Sequence, residues 1–342
     1  MQSALVFPIH NPRALFRHFD LLPKELWGPP NVKSTSSAAH VQNYVCSIVH
    51  HTYSYIHSEN MENIACFLVP HTCDSLQGLA SQMMDFETGL PPVFSLYLPR
   101  GQRASDHEFL AAELRKLAEK MAKRLNKMID EEKLMQCVLR EEKADDLLAM
   151  LYESKPSLAL TDREFYATVR SRGELTAEDF IVKIETILSE SQPTDQKNSI
   201  PIILSGIVPE PPELFDFINS LNAHVAGDDL ACGSRRLYQP GQSADPFQRM
   251  AESLLSGPPD STRGHSIRER ADHLQNLCRK QAAQGVIFYG MKFCEPELFD
   301  IPILTGILKA SGIQVLELST DISDQLSHQN QTRIEAFIEM LT

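Results

Sequence analysis

Seven cysteines are scattered along the 342-residue chain, with no CxxC pair among them. Two of them stand where a thiol can do chemistry. In Asn63–Gly78 (NIACFLVPHTCDSLQG) an apolar run, Ile64–Val69, breaks at Pro70 and passes through Cys73 into a helical pattern from Asp74. Near the other end Gly285–Tyr289 (GVIFY) leads through Gly-Met-Lys-Phe to Cys294, and Glu295-Pro296-Glu297 then opens a helix. Both stretches read as strand, turn, helix, with the thiol at the carboxyl end of the strand. In open α/β sheets that edge is where ligands bind. A helix N-terminus favours the thiolate, the form that binds metals. The two cysteines are therefore expected to face one metal site.

The other cysteines divide by context. Cys66 falls within a strand, and Cys137 and Cys278 fall in amphipathic helices, so each reads as a small buried hydrophobe. Cys232, in DDLACGSRR, reads as a turn residue after a strand. Cys46 is expected mid-helix in AHVQNYVCSIVHHTYSYIH (Ala39–His57), one turn from His50. Dispersed cysteines carry no metal-site spacing of their own, so position alone leaves a shared site and plain core packing both open.

The elements that must position these thiols follow from pattern. Residues 1–38, with Pro8, Pro12, Pro23, Pro29 and Pro30 and a polar run at Ser34–Ser37, read as an irregular surface arm. A first α/β domain is expected over 39–190. It contains strands at Ile64–Val69 and Val93–Leu98 and a long helical insertion that starts with one helix over about Asp106–Leu139. Thr161-Asp162-Arg163-Glu164 and Thr176-Ala177-Glu178-Asp179 carry helix-start signals. SESQPTDQKNS (Ser189–Ser199) reads as a linker. A second α/β domain over 191–342 has strands at Ile200–Val208, His224–Ala226, Gly285–Tyr289 and Gln314–Leu318. Strands alternating with helices imply parallel sheets covered on both faces, giving two Rossmann-like halves.

Composition narrows the function. A formal net charge of −13 argues against nucleic acid or an anionic membrane as the main partner. Hydrophobic residues make up 42% of the chain, enough for a globular core. The start, MQSALVFPIHNPR, lacks a signal-peptide pattern, and no apolar run is long enough to span a bilayer. With scattered thiols, these features predict a cytoplasmic, reducing setting. No GxxxxGK[ST], GxGxxG, HExxH or GxSxG motif is present, so ATP hydrolysis through a P-loop is not expected.

Seven blocks, in order, carry a family resemblance: HVQNYVCSIVHH, VPHTCDSLQGL, PVFSLYLPRG, GDDLACGSR, GVIFYGMKFCEPELFDIPIL, IQVLELSTD and QTRIEAFIEML. Together they resemble the 2-hydroxyacyl-CoA dehydratase / benzoyl-CoA reductase family from about Ala39 to the C-terminus. KFCEP and TRIEAF are the most specific. The resemblance implies a 4Fe–4S cluster in the cleft between the two domains, held by the matching Cys46, Cys73 and Cys294. Three thiolates would leave one iron open, by the same logic as an open catalytic zinc. The implied activity is radical reduction of an acyl-CoA thioester, either eliminating a 2-hydroxyl or reducing an aromatic ring. The implied partners are a homologous subunit or a second copy of the chain, and a separate ATP-hydrolysing activator that supplies electrons. A double-cubane or electron-transfer subunit without a CoA substrate is the alternative, with Cys232 as the extra thiol. His50, His51 and His71 could hydrogen-bond cluster sulfurs or move a proton, with His50 and His71 the catalytic candidates. The plain reading of each is a satisfied core or surface histidine. Arg235 and Arg236, with Arg100 and Arg103, could bind CoA phosphates, against the plain reading of surface pairing. Asp228 and Asp229 read as turn or cap residues.

Overall fold

Strand β1 (Ser3–Val6) lies inside a four-stranded sheet, hydrogen-bonded on both sides. The computed structural model describes residues 1–7, 9–29, 32, 40–58, 61–190, 199–322 and 325–342. After β1 come α1 (Arg13–His18), β2 (Leu22–Glu25), α2 (Ser47–Ser58), β3 (Ile64–His71), α3 (Asp74–Asp85) and β4 (Val93–Tyr97). The sheet is parallel throughout in the order β2-β1-β3-β4, with Val6 level with both Glu25 and Leu68. The surface arm expected over 1–38 is thus corrected. Ala4, Leu5 and Val6 are almost fully buried, and Phe16 and Phe19 pack in the core beside them. Of the described prolines that suggested irregularity, Pro12 precedes α1, Pro23 lies within β2 and Pro29 follows it in the chain. The polar run Ser34–Ser37 and positions 191–198 of the expected linker lie outside the described residues.

Four helices follow: α4 (Ala104–Leu125), α5 (Glu131–Ser154), α6 (Asp162–Ser171) and α7 (Ala177–Ser189). The single long helix expected to Leu139 is two. Asn126 takes a left-handed conformation (φ 51°), and Asp130 caps α5 by accepting from the Lys133 N–H. Met128 is 88% exposed in the connection. The start signals at α6 and α7 hold, since Thr161 and Thr176 accept from the N–H groups of Glu164 and Asp179.

The second sheet uses β5 (Ile200–Gly206), α8 (Glu213–Ser220), β6 (Ala223–Leu230), α9 (Pro246–Leu255), α10 (Ile267–Lys280), β7 (Gly285–Met291), α11 (Glu295–Leu298), α12 (Ile301–Ala310), β8 (Gln314–Thr320) and α13 (His328–Met340). It is also parallel, in the order β6-β5-β7-β8. Strand β6 outruns its expected end at Ala226, so Asp228 and Asp229 are strand residues rather than turn residues. The two sheets repeat one strand order. In each, the chain leaves the first strand in opposite directions, creating a switch point between β1 and β3 and between β5 and β7. Buried apolar side chains of both sheets, Leu5, Phe67 and Val69 with Ile202, Leu204 and Ile287, belong to one continuous core. No helix among the described residues is long and apolar enough to cross a membrane.

Candidate functional site

Cys46, Cys73 and Cys294 line one apolar cavity. The rest of its wall explains the convergence. Ile9, Trp27 and Cys73 follow the carboxyl ends of β1, β2 and β3, and Ile207, Ala231 and Cys294 follow those of β5, β6 and β7. The cavity therefore sits over both switch points at once, where crevices form because neighbouring connections diverge.

All three thiols stand at helix starts. Cys73 is the N-cap of α3 and Cys294 the N-cap of α11. Cys46 was expected mid-helix, but α2 begins at Ser47, and the Cys46 carbonyl accepts from the N–H groups of Val49 (3.1 Å) and His50 (3.3 Å). The apolar periodicity runs back to Val41, which hid this boundary from the sequence. The connections carry strain. Ile9 and His10 after β1 have φ of 59° and 55°, and Phe293 before Cys294 has φ of 61°. For a β-branched or aromatic residue this is an outlier, of the kind that gathers at functional sites.

The thiols are not activated by their helices. Burial pushes Cys73 up to about 12, against the N–H groups of Leu76 and Ser75. Burial likewise raises Cys46. Cys294 stands well above its ordinary value through burial first, then the nearby Cys46, Glu297 and Cys73. The expected helix-end thiolate is thus overridden by desolvation, and three adjacent thiols in an apolar wall stay protonated without a cation beside them. Among the described residues, no three His, Cys, Asp or Glu side chains are grouped so as to hold a single metal ion.

Arg235 and Arg236 stand apart from any phosphate role. Arg235 is fully buried; it donates to Asp229 through Nε and Nη2 (2.8 and 2.9 Å) and to Glu297 through Nη1 (2.6 Å). Arg236, 5% exposed, is bonded to Glu25. Both guanidiniums are held by buried carboxylates, so the expectation of phosphate binding is corrected. Arg103 is exposed and paired with Asp106. His50 contacts the Gln42 carbonyl (3.1 Å), and His71 the Gln77 amide oxygen (2.6 Å) and the Tyr97 ring. Neither histidine lines the cysteine cavity. Cys232 is buried apart from that cavity, close to Arg170 and Arg236. Sequence reasoning missed Glu297, Arg270 and Asp260, which lie buried behind Cys294. Their signal was faint: charges set close to apolar runs.

Residues 8–341 match the family model described as 2-hydroxyglutaryl-CoA dehydratase, D-component. The chain belongs to that family. It is similar to the (R)-phenyllactyl-CoA dehydratase beta subunit of Clostridium sporogenes, at 23% identity over 98% of this chain and 90% of the relative. It is similar also to lactoyl-CoA dehydratase subunit beta of Anaerotignum propionicum, at 22% over 98% and 91%. A benzoyl-CoA reductase subunit of Thauera aromatica matches at 22% over 87% of this chain and 80% of its own length. As a member of this family, the chain is an enzyme subunit of the dehydratase and reductase type.

Proposed function

We propose that the chain is the iron–sulfur subunit of an acyl-CoA enzyme that eliminates a 2-hydroxyl or reduces an aromatic acyl ring. In this reading it works with a homologous subunit or a second copy of itself, and with an ATP-dependent activator. One observation carries the proposal. Three thiols separated by up to 248 positions (294 − 46) line one apolar cavity across the switch points of both sheets.

The residues suit such a group. The donors are thiols, which select iron–sulfur clusters and other soft metals. Cys46, Cys73 and Cys294 would hold it, with Cys46 and Cys73 at the positive ends of the longer helices α2 and α3. Three thiols of this chain leave one position of a four-iron cluster without a cysteine from it. Bound there, the cluster would supply low-potential single electrons to the thioester carbonyl. Leu76, Ile207 and Ala231 give the sulfurs apolar neighbours, with Cys46 buried and Cys73 and Cys294 half-buried, and an apolar wall strengthens charge effects beside it. Among the described residues, no side chain lining the cavity carries a formal charge other than a cysteine's on ionisation. The lining holds no extra thiol for a double cubane, because Cys232 stands outside it.

The test is anaerobic reconstitution with iron and sulfide. The wild-type chain and Cys232→Ser are expected to take up equal iron and become brown. Cys73→Ser and Cys294→Ser should each lose most of it. A folded wild-type chain that stays colourless and iron-free would refute the reading. Adding acyl-CoA thioesters to the reduced, loaded protein should perturb its electron paramagnetic resonance signal; no change with any thioester would leave a pure electron-transfer role.

A further inference from the structure

Behind the cavity wall, on the side of Cys294, lies a closed set of charges. Glu297 is fully buried at the third position of α11, and its backbone N–H donates to the Cys294 carbonyl (3.1 Å). Its carboxylate accepts from Arg235 Nη1 (2.6 Å), from Arg270 Nη2 (3.3 Å to each oxygen) and from Ser261 Oγ (2.5 Å). Arg235 also grips Asp229 at the end of β6, and Arg270 Nη1 donates to Asp300 (2.7 Å). Asp260 accepts from the Thr262 N–H (2.7 Å) and hydroxyl (2.8 Å), and Thr262 is itself part of the cavity wall. Helix α11 has only four residues, too few to hold its own position by helical hydrogen bonding. The turn before it is strained at Phe293. Something else must fix Cys294, and the ion pairs of the next turn are in place to do it.

We propose that Glu297, clamped by Arg235 and Arg270, is a positioning residue: it holds Cys294 against the cavity and, through its charge, sets the reduction potential of the group held there. The second half rests on the iron–sulfur reading given above; the first half does not. Glu297 stands three residues after Cys294 in the same short turn and donates its N–H to the Cys294 carbonyl (3.1 Å), so its negative charge opposes negative charge on the sulfur. Burial by itself would favour the neutral acid, but Arg235 and Arg270 override it and hold Glu297 ionised. In a water-excluded region such a charge is poorly screened. Removing it leaves the two guanidiniums less compensated, so the surroundings become more positive and the reduced, more negative state of a bound cluster is favoured.

The experiment uses the full chain, wild type and two variants. Glu297→Gln keeps the shape and removes the charge; Glu297→Asp keeps the charge. In iron-free protein, alkylation of Cys294 is followed by mass spectrometry, with Cys73 of the same molecule as internal reference and a melting curve as the folding check. Cys294 is expected to react several-fold faster in Glu297→Gln while Cys73 is unchanged. In reconstituted protein, Glu297→Gln should have a more positive reduction potential than wild type, with Glu297→Asp nearer to wild type. A Cys294-to-Cys73 rate ratio unchanged from wild type in the folded variants would overturn the positioning role. Equal potentials in loaded Glu297→Gln and wild type would overturn the electrostatic role. Failure of the wild-type chain to take up iron would defeat the electrostatic half together with the iron–sulfur reading, while the alkylation ratio still decides the positioning half. Should Glu297→Gln not fold, Ser261→Ala removes one hydrogen bond from the same carboxylate and is expected to raise the Cys294 rate less; no rise in it would overturn the proposal.

Discussion

At the scale of single residues, the arginines separate sequence reading from structure most sharply. An arginine beside a glycine-containing turn at a sheet edge is a reasonable phosphate ligand, and Arg235 and Arg236 have that setting in sequence. What the sequence cannot show is that Asp229, Glu297 and Glu25 come from three other elements to surround them. Buried ion pairs contribute little net stability, yet removing one partner leaves the other charge stranded. Arg236→Ala would leave Glu25, 4% exposed at its side chain, with the more distant Arg13 at 3.9 Å as its one salt-bridge partner among the described residues. The variant is expected to lose roughly 3 kcal/mol of stability in urea unfolding. Iron uptake per folded molecule should be unchanged, since Arg236 does not line the cysteine cavity. A stable Arg236→Ala chain with weakened acyl-CoA binding would instead restore the phosphate role.

At the scale of elements, legibility followed the strength of the local pattern. Strands β3, β5 and β7 show as apolar runs, as strands buried on both faces do. Strand β1 has only four residues, SALV, and β2 is LPKE, with a proline and two charges; neither carries a periodic signal. Their strand character comes from tertiary pairing: β1 is laid against β3, and β2 against β1. The start of α2 was hidden for the opposite reason, an apolar spacing that outran the helix. The candidate site was legible as two thiols at strand ends, but its third member needed the family resemblance. The close approach of β5 and β7 was not legible at all. Gly206, at the end of β5 (φ 153°), lies so near β7 that an added Cβ would stand 2.4 Å from the Tyr289 carbonyl oxygen. Gly206→Ala must therefore push apart the two strands whose ends carry Ile207 and Cys294. The expected result is a fall in melting temperature together with slower or incomplete iron uptake. Full iron uptake in a folded Gly206→Ala chain would show that the switch-point spacing is not critical.

At the scale of the whole molecule, buried ionisable groups join distant parts of the chain, and their titration should govern stability. Arg236–Glu25 ties the turn after β6 to β2, Arg13–Glu141 ties α1 to α5, and His10–Asp260 ties the connection after β1 to the segment before α10. Glu25, Glu141, Asp260 and Glu297 each oppose burial, which would raise them, with arginine neighbours that hold them below their ordinary values. The unfolded chain therefore binds protons at these groups before the folded chain does. Their contribution is complete above the ordinary glutamate value of 4.5 and is lost as pH falls below it. His10 adds an earlier loss. Burial pushes it from 6.5 down to about 3, so between those values the unfolded chain holds a proton that the folded chain refuses. Burial also lowers His18, His224 and His265, so the decline should start near pH 6.5 and steepen below 4.5. Each proton taken up only by the unfolded chain costs about 1.4 kcal/mol per pH unit. Urea midpoints measured from pH 8 to 4 should trace this two-stage fall. His10→Asn should remove one proton's share of the upper stage and leave the lower stage intact. A flat profile down to pH 5 in the wild-type chain would mean that His10 is charged when folded, and that its contact with Asp260 is an ion pair rather than a neutral histidine beside a buried carboxylate.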